Sequence, residues 1–273
     1  RDITKQKQAE EEQLRLSMIE KELSIAQTMQ QSLLPEAKPT WPDIDIVCYN
    51  QPAKEVGGDF YSYYRFDEGA KPTGQPRKYG ISVGDVSGKG VSAALLMATS
   101  LSQFDASLSI DLSPATRMAH LDQALLPYTQ PRRQNCAMCY VEILPPTSKN
   151  SIGHLNGVNA GCIPPYIRRT NGQVIEMNIG GFALGQGLGA QEGYQEADMT
   201  LEPGDFIILT SDGIVEATNK ATEIFGFERL QQAIATGPTD TAKAMLKHLL
   251  LTVETFIQGT EPNDDLTIVI VKV

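Results

Sequence analysis

Four aspartates stand at the edges of segments that read as strands. Asp59 opens one in KEVGGDFYSYYRF, and Asp85 closes another in ISVGDVSGKG. Asp212 closes a third in FIILTSDGI, and Asp264, followed by Asp265, opens the last in NDDLTIVIV. Any one of them reads as a turn former. Four together pose a different problem, because carboxylates that share a partly buried pocket repel unless something positive joins them. A divalent cation resolves the repulsion. An all-oxygen set without His or Cys suits Mg²⁺ or Mn²⁺ better than zinc or copper. Four carboxylates balance two such ions, and two ions about 4 Å apart are an arrangement suited to phosphoryl chemistry.

Glycine adjoins three of the four: Gly57 and Gly58 precede Asp59, Gly84 precedes Asp85 and Gly213 follows Asp212. Glycine lets another group approach the backbone closely. After Asp85, DVSGKGVSAALL is a glycine-containing loop entering a helix, whose first N–H groups attract anions. It is not a Walker A loop, since G-x-x-x-x-G-K-[ST] is absent. Lys89 in that loop is placed to attract phosphate, with a solvated turn lysine as the competing reading. Cys136 and Cys139 form C-x-x-C, but no second pair or His pair completes a zinc shell. NCAMCYVEIL reads instead as a strand whose two cysteines point to opposite faces.

The elements that must position these residues are mixed. Residues 1–34 are polar and helix-prone, and Leu16, Ile19, Leu23, Ala26 and Leu33 fall at the 3-4 spacing of a coiled-coil seam, with Gln30 filling the remaining position. Met18, Ile25 and Met29 line a second stripe. One amphipathic helix lying on its own domain is the competing reading. Pro35, Pro39 and Pro42 end the helix. Strands are expected at 44–50, 59–66 and 78–86, with an exposed loop over 67–78. Helices follow at 90–104 and 113–126, the second capped by Ser113 with Pro114 at its first position. Short strands at 136–143, 151–159, 165–169, 173–178, 196–201 and 205–211 come next, then helices at 226–235 and 239–257 and a last strand, LTIVIVKV. Helices fall in pairs around blocks of strands joined by short turns. That predicts an α+β sandwich with mostly antiparallel sheets, not a parallel α/β fold.

The segments EVGGDFY, GDVSGKGVSAALLMA, NAGCIPPYI, LEPGDFIILTSDGIVEATN, FGFERL and DDLTIVIV resemble the metal-dependent (type 2C, PPM) protein phosphatases. The resemblance is to the bacterial branch that controls sigma factors by partner switching, and it runs from about residue 25 to the C-terminus. AQTMQQSLLP resembles that branch's regulatory linker, and RDITKQKQAEE resembles the end of a PAS sensor domain entering a signalling helix. The resemblance implies an αββα sandwich over 36–273, behind a linker helix at 1–35 that follows a sensor domain. It implies two Mn²⁺ or Mg²⁺ ions held by Asp59, Asp85, Asp212 and Asp264, with Asp85 bridging and the Val86 carbonyl assisting. The implied activity is hydrolysis of phosphoserine or phosphothreonine on an anti-sigma-factor antagonist of the STAS type, regulated through the N-terminal helix, with no cysteine as nucleophile. Two positions depart from the family pattern: Ser62 stands where a second acidic residue is frequent, and Cys162 follows N-A-G where His or another polar residue is usual.

Bulk properties narrow the partners. The 273 residues are 41% hydrophobic and 21% charged, with a formal net charge of −10, which argues against nucleic acid or an anionic membrane as the main partner. No apolar run reaches the length of a membrane span. Four cysteines without an export signal fit a cytoplasmic protein, and the seam predicts a homodimer. Two rival functions stand beside hydrolysis. One is a non-catalytic regulatory module of the same fold. The other is a G-G-D-E-F nucleotide cyclase, suggested by GGDF, which lacks the following acidic residue and leaves Asp212 and Asp264 unexplained.

Overall fold

The computed structural model describes residues 2–66, 78–148, 150–260 and 262–273. The loop expected between the second and third strands lies, over 67–77, outside the described residues. Helix α1 (Asp2–Leu33) leads into β1 (Asp45–Gln51), β2 (Phe60–Phe66) and β3 (Lys78–Val86). Helices α2 (Val91–Leu108) and α3 (Pro114–Thr129) follow, then β4 (Cys136–Leu144), β5 (Gly153–Ala160), β6 (Tyr166–Arg168) and β7 (Val174–Glu176). A short helix α4 (Leu188–Glu192) precedes β8 (Glu196–Leu201) and β9 (Phe206–Thr210); α5 (Gly226–Thr236), α6 (Ala242–Ile257) and β10 (Leu266–Lys272) complete the chain.

The strands form two five-stranded sheets, ordered β1-β10-β9-β6-β7 and β2-β3-β4-β5-β8, and every neighbouring pair is antiparallel. Period-2 alternation explains the four layers. On β10, Val269 and Val271 enter the core between the sheets, while Ile268 and Ile270 meet Leu230, Met245 and Leu249 of α5 and α6. On β4, Cys139 and Val141 face the inter-sheet core, while Cys136, Met138 and Tyr140 meet Met97, Phe104 and Leu121 of α2 and α3. Both sheets are therefore buried on both faces, which is why the strands read as nearly continuous apolar runs. Each fully buried aliphatic chain contributes about 1.5–3 kcal/mol. Cys136 and Cys139 lie in different cores, and all four cysteines are free.

The helices follow their sequence signals. Ser113 caps α3 by accepting the Thr116 N–H, with Pro114 at the first position. Both α2 and α3 run past their expected ends, and α3 continues through Pro127. Helix α4 was not expected, because its segment is broken by Gly185, Gly187 and Gly189. Buried Asp122 of α3 organises it by accepting the N–H groups of Gly185, Gln186, Gly187 and Ala190 at 2.7–3.0 Å. The apolar positions of α1 differ in burial along the helix. Leu16 and Ile19 are exposed, as are Met18, Ile25 and Met29 of the second stripe, whereas Leu23, Ala26 and Gln30 are half-buried. No helix among the described residues is long and apolar enough to cross a membrane.

Candidate active site

Strand register brings the aspartates to one end of the sandwich. Phe60 pairs with Gly84, so Asp59 and Asp85 face each other where β2 begins and β3 ends. Thr210 pairs with Ile268, so the chain after β9 meets the chain before β10, and Asp212 enters the neighbourhood of Asp264 and Asp265. Asp212 opens a single 3₁₀ turn (Asp212–Ile214).

Glycine makes the approach possible. A Cβ on Gly57 would stand 2.2 Å from a carboxylate oxygen of Asp265, and one on Gly58 would stand 2.5 Å from the Val86 carbonyl oxygen and 3.3 Å from the Asp85 carboxylate. A Cβ on Gly213 would meet the Asp265 carbonyl oxygen. Three loops thus close on one another at backbone contact distance.

Asp265 is the organiser that the sequence reading passed over. It is buried, and its carboxylate accepts N–H groups from Ala53 at 2.8 Å, Gly58 at 2.6 Å and Asp59 at 3.4 Å. Ser211, also missed, donates its hydroxyl to the Asp59 carboxylate at 2.6 Å and accepts the Thr267 N–H at 3.0 Å. Gln30, read only as a seam position, clamps the same loop: its side-chain amide donates to the Gly57 carbonyl at 2.6 Å and accepts the Gly57 N–H at 3.1 Å. The Asp-Asp pair and the polar break in an apolar seam were the available signals.

The electrostatics record the crowding. Burial, and then the nearby Asp85 carboxylate, hold the Asp59 carboxyl well above the usual range despite the hydrogen bond from Ser211. Burial, and then Asp212, push Asp85 up to about 7, while Asp59 stands within hydrogen-bonding reach of it. Asp212 is raised by burial, then by Glu216 and Asp264. The contrast is Asp122, whose buried carboxylate is met by four N–H donors. Among the ion pairs of the described residues, the one that reaches the cluster is Lys89 to Asp264 at 3.0 Å.

Among the described residues, no three Asp, Glu, His or Cys side chains form a ready metal shell. Mg²⁺ and Mn²⁺ are hard cations that take oxygen ligands and water. The donor chemistry fits such ions: oxygen atoms only, raised carboxyl groups in a linked row, and a main-chain carbonyl at Val86 that a Gly58 Cβ would cover. Next to the row, α2 starts behind Gly88 and Gly90 (φ 95° and 79°), with no side-chain cap on its first turn.

The two family departures have separate roles. Ser62 is buried and donates to Asp105 at 2.9 Å, which ties β2 to α2. Cys162 borders the same cleft as Asp85 and Asp212. The cleft runs between the loop after β5 and the start of α5.

Comparison with known proteins places this geometry. Residues 75–273 match the family model described as Stage II sporulation protein E (SpoIIE). Phosphoserine phosphatase RsbU of Bacillus subtilis is 26% identical over 261 residues, covering 93% of this chain and 70% of that protein. Phosphoserine phosphatase RsbP of the same organism is 27% identical over 202 residues, covering 72% of this chain and 46% of its own length. The fold superposes on the SiaA PP2C domain of Pseudomonas aeruginosa with a TM-score of 0.76 at 20% identity, over 95% of this chain and 98% of that one.

Proposed function

This chain belongs to the Stage II sporulation protein E (SpoIIE) family and carries its phosphatase domain, and on that premise we propose that it is a metal-dependent hydrolase of phosphoserine or phosphothreonine on a STAS-type anti-sigma-factor antagonist. The observation that carries this reading is the row of carboxylates Asp59, Asp85, Asp212 and Asp264 drawn to one edge, with raised proton affinity at Asp59, Asp85 and Asp212 and with Lys89 paired to Asp264. Asp59, Asp85, Asp212 and Asp264, with the Val86 carbonyl, would hold two Mn²⁺ or Mg²⁺ ions. Such ions supply Lewis acidity toward phosphoryl oxygens and a water made acidic enough to attack phosphorus.

The chain's own residues prepare that chemistry. Ser211 fixes the Asp59 carboxylate through its 2.6 Å hydrogen bond. Asp265 fixes the backbone of Gly58 and Asp59. The first turn of α2, which follows Asp85 in the chain, has no side-chain cap, and its N–H groups are of the kind that attract an anion. No cysteine acts as nucleophile: burial raises the thiols of Cys48, Cys136, Cys139 and Cys162, which opposes the reactive thiolate.

Residues 1–35 are read as the linker from an upstream sensor domain and 36–273 as the phosphatase domain of a cytoplasmic homodimer paired through α1. Gln30 gives the linker a direct grip on the Gly57 backbone. Displacement of α1 would therefore be felt at Asp59, a two-state device. Phosphate release from a phosphoserine protein in Mn²⁺ tests the assignment. Asp212→Asn should lower kcat/KM by about a hundredfold or more, within the range for removing one electrostatic group from such a site, while circular dichroism stays unchanged. Equal rates for parent and variant would end the metal assignment. A parent inert on every phosphoserine substrate tried would favour the non-catalytic module.

A further inference from the structure

We propose that the cleft between the Gly161–Pro164 loop and the first turn of α5 is a specificity subsite that takes an apolar side chain flanking the phosphorylated residue; this rests on the phosphatase reading above. The cleft has a volume of about 260 Å³. Its lining joins Asp85 and Asp212 to the apolar surface of Cys162, Ile163, Pro164 and Phe227. A volume below the roughly 300–1,000 Å³ of small-molecule sites suits one large side chain. Consecutive Cα atoms are about 3.8 Å apart. A phosphoserine held at Asp85 and Asp212 therefore brings its neighbour's side chain within reach of the apolar lining.

The apolar lining is built to hold its shape. Asn159 donates to the Cys162 carbonyl at 2.8 Å and to the Ile179 carbonyl at 3.3 Å, and accepts the Cys162 N–H at 2.9 Å. Gly161 makes the turn at φ 81°, packed so that a Cβ would lie 3.2 Å from the Ala183 nitrogen. Phe227 of α5 adds an aromatic ring to the lining. Of the two rings in FGF, Phe225 is buried and packs edge-on against Phe256, whereas Phe227 is 52% exposed. The fold gains little from an open ring at the rim of a charged cleft. A substrate side chain seated between Phe227 and Pro164 would close that surface from water. An acidic flanking side chain would set its charge against this apolar lining without a partner.

The test uses phosphoserine peptides that differ only in whether Leu, Gly or Glu stands before or after the phosphoserine, with Mn²⁺ and kcat/KM measured for each. At one of the two positions the parent should prefer Leu over Gly by about tenfold, the scale of apolar pocket discrimination, with Glu slower than Gly. Phe227→Ala should shrink the Leu-to-Gly ratio to within about twofold, and Phe227→Leu should keep most of it. Phe227 lies half outside the core, so both variants are expected to fold, checked by circular dichroism. Equal turnover of Leu and Gly peptides by the parent overturns the subsite while leaving the phosphatase reading standing. An undiminished preference in Phe227→Ala also overturns the subsite. Absence of phosphate release from every peptide overturns the phosphatase reading and this one with it.

Discussion

At the scale of single residues, the carboxylates differ by what meets them. Asp122 is buried among four N–H donors and serves structure. Asp85 is half-buried beside other carboxylates, and its raised proton affinity has a thermodynamic sign. Its folded value of about 7 lies above the ordinary value near 4. Protonation therefore stabilises the metal-free fold fully below about pH 4, and this contribution is lost as pH rises through about 7. In EDTA the melting temperature should be higher at pH 5 than at pH 8, and Asp85→Asn should flatten the difference. Mn²⁺ should raise the melting temperature more at pH 8, where the carboxyl is free to bind it. A parent profile in EDTA no steeper than that of Asp85→Asn would contradict this. The four aspartates were legible because each ends an apolar run beside a glycine or a second aspartate. Asp265 was not, because its partners lie in a loop more than 200 residues earlier and leave no local pattern.

At the scale of elements, most helices and strands were legible from period and caps. The short α4 was hidden by its glycines, and it forms because a distant carboxylate collects its N–H groups. Helix α1 was legible as a helix but only partly in its partners. Its apolar spacing suggested a seam, whereas Gln30 uses that seam's one polar position to hold the Gly57 main chain. Two such hydrogen bonds contribute roughly 0.5–1.5 kcal/mol each. Gln30→Ala should therefore weaken Mn²⁺ activation by about fivefold or more, read as the metal concentration giving half-maximal phosphate release. Circular dichroism should be unchanged. An unaltered midpoint would show that the clamp does not reach the carboxylates.

At the scale of the whole molecule, pairs of helices around blocks of strands predicted the layered sandwich, and both sheets are indeed covered by helices. Strand order was not legible. β10 lies between β1 and β9, a pairing that joins the two ends of the domain and depends on long-range packing. The exposed apolar rows of α1 bear on assembly. Leu16, Met18, Ile19, Ile25 and Met29 are 43–65% exposed, and a second copy would cover them. Replacing Leu16 and Ile19 together by Asp should convert a dimer to a monomer in light scattering, with the sandwich intact by circular dichroism. A parent already monomeric at tens of micromolar would contradict pairing through this helix.

The clasp of Asp265 on Gly58 and Asp59 has a consequence for how the protein is made. The loop carrying the first aspartate leaves the ribosome more than 200 residues before the group that shapes it. Until β10 slides between β1 and β9, the nascent polypeptide lacks the carboxylate that holds Gly58 and Asp59. Completion of the reactive edge therefore waits on closure of a sheet, not on the loop's own synthesis.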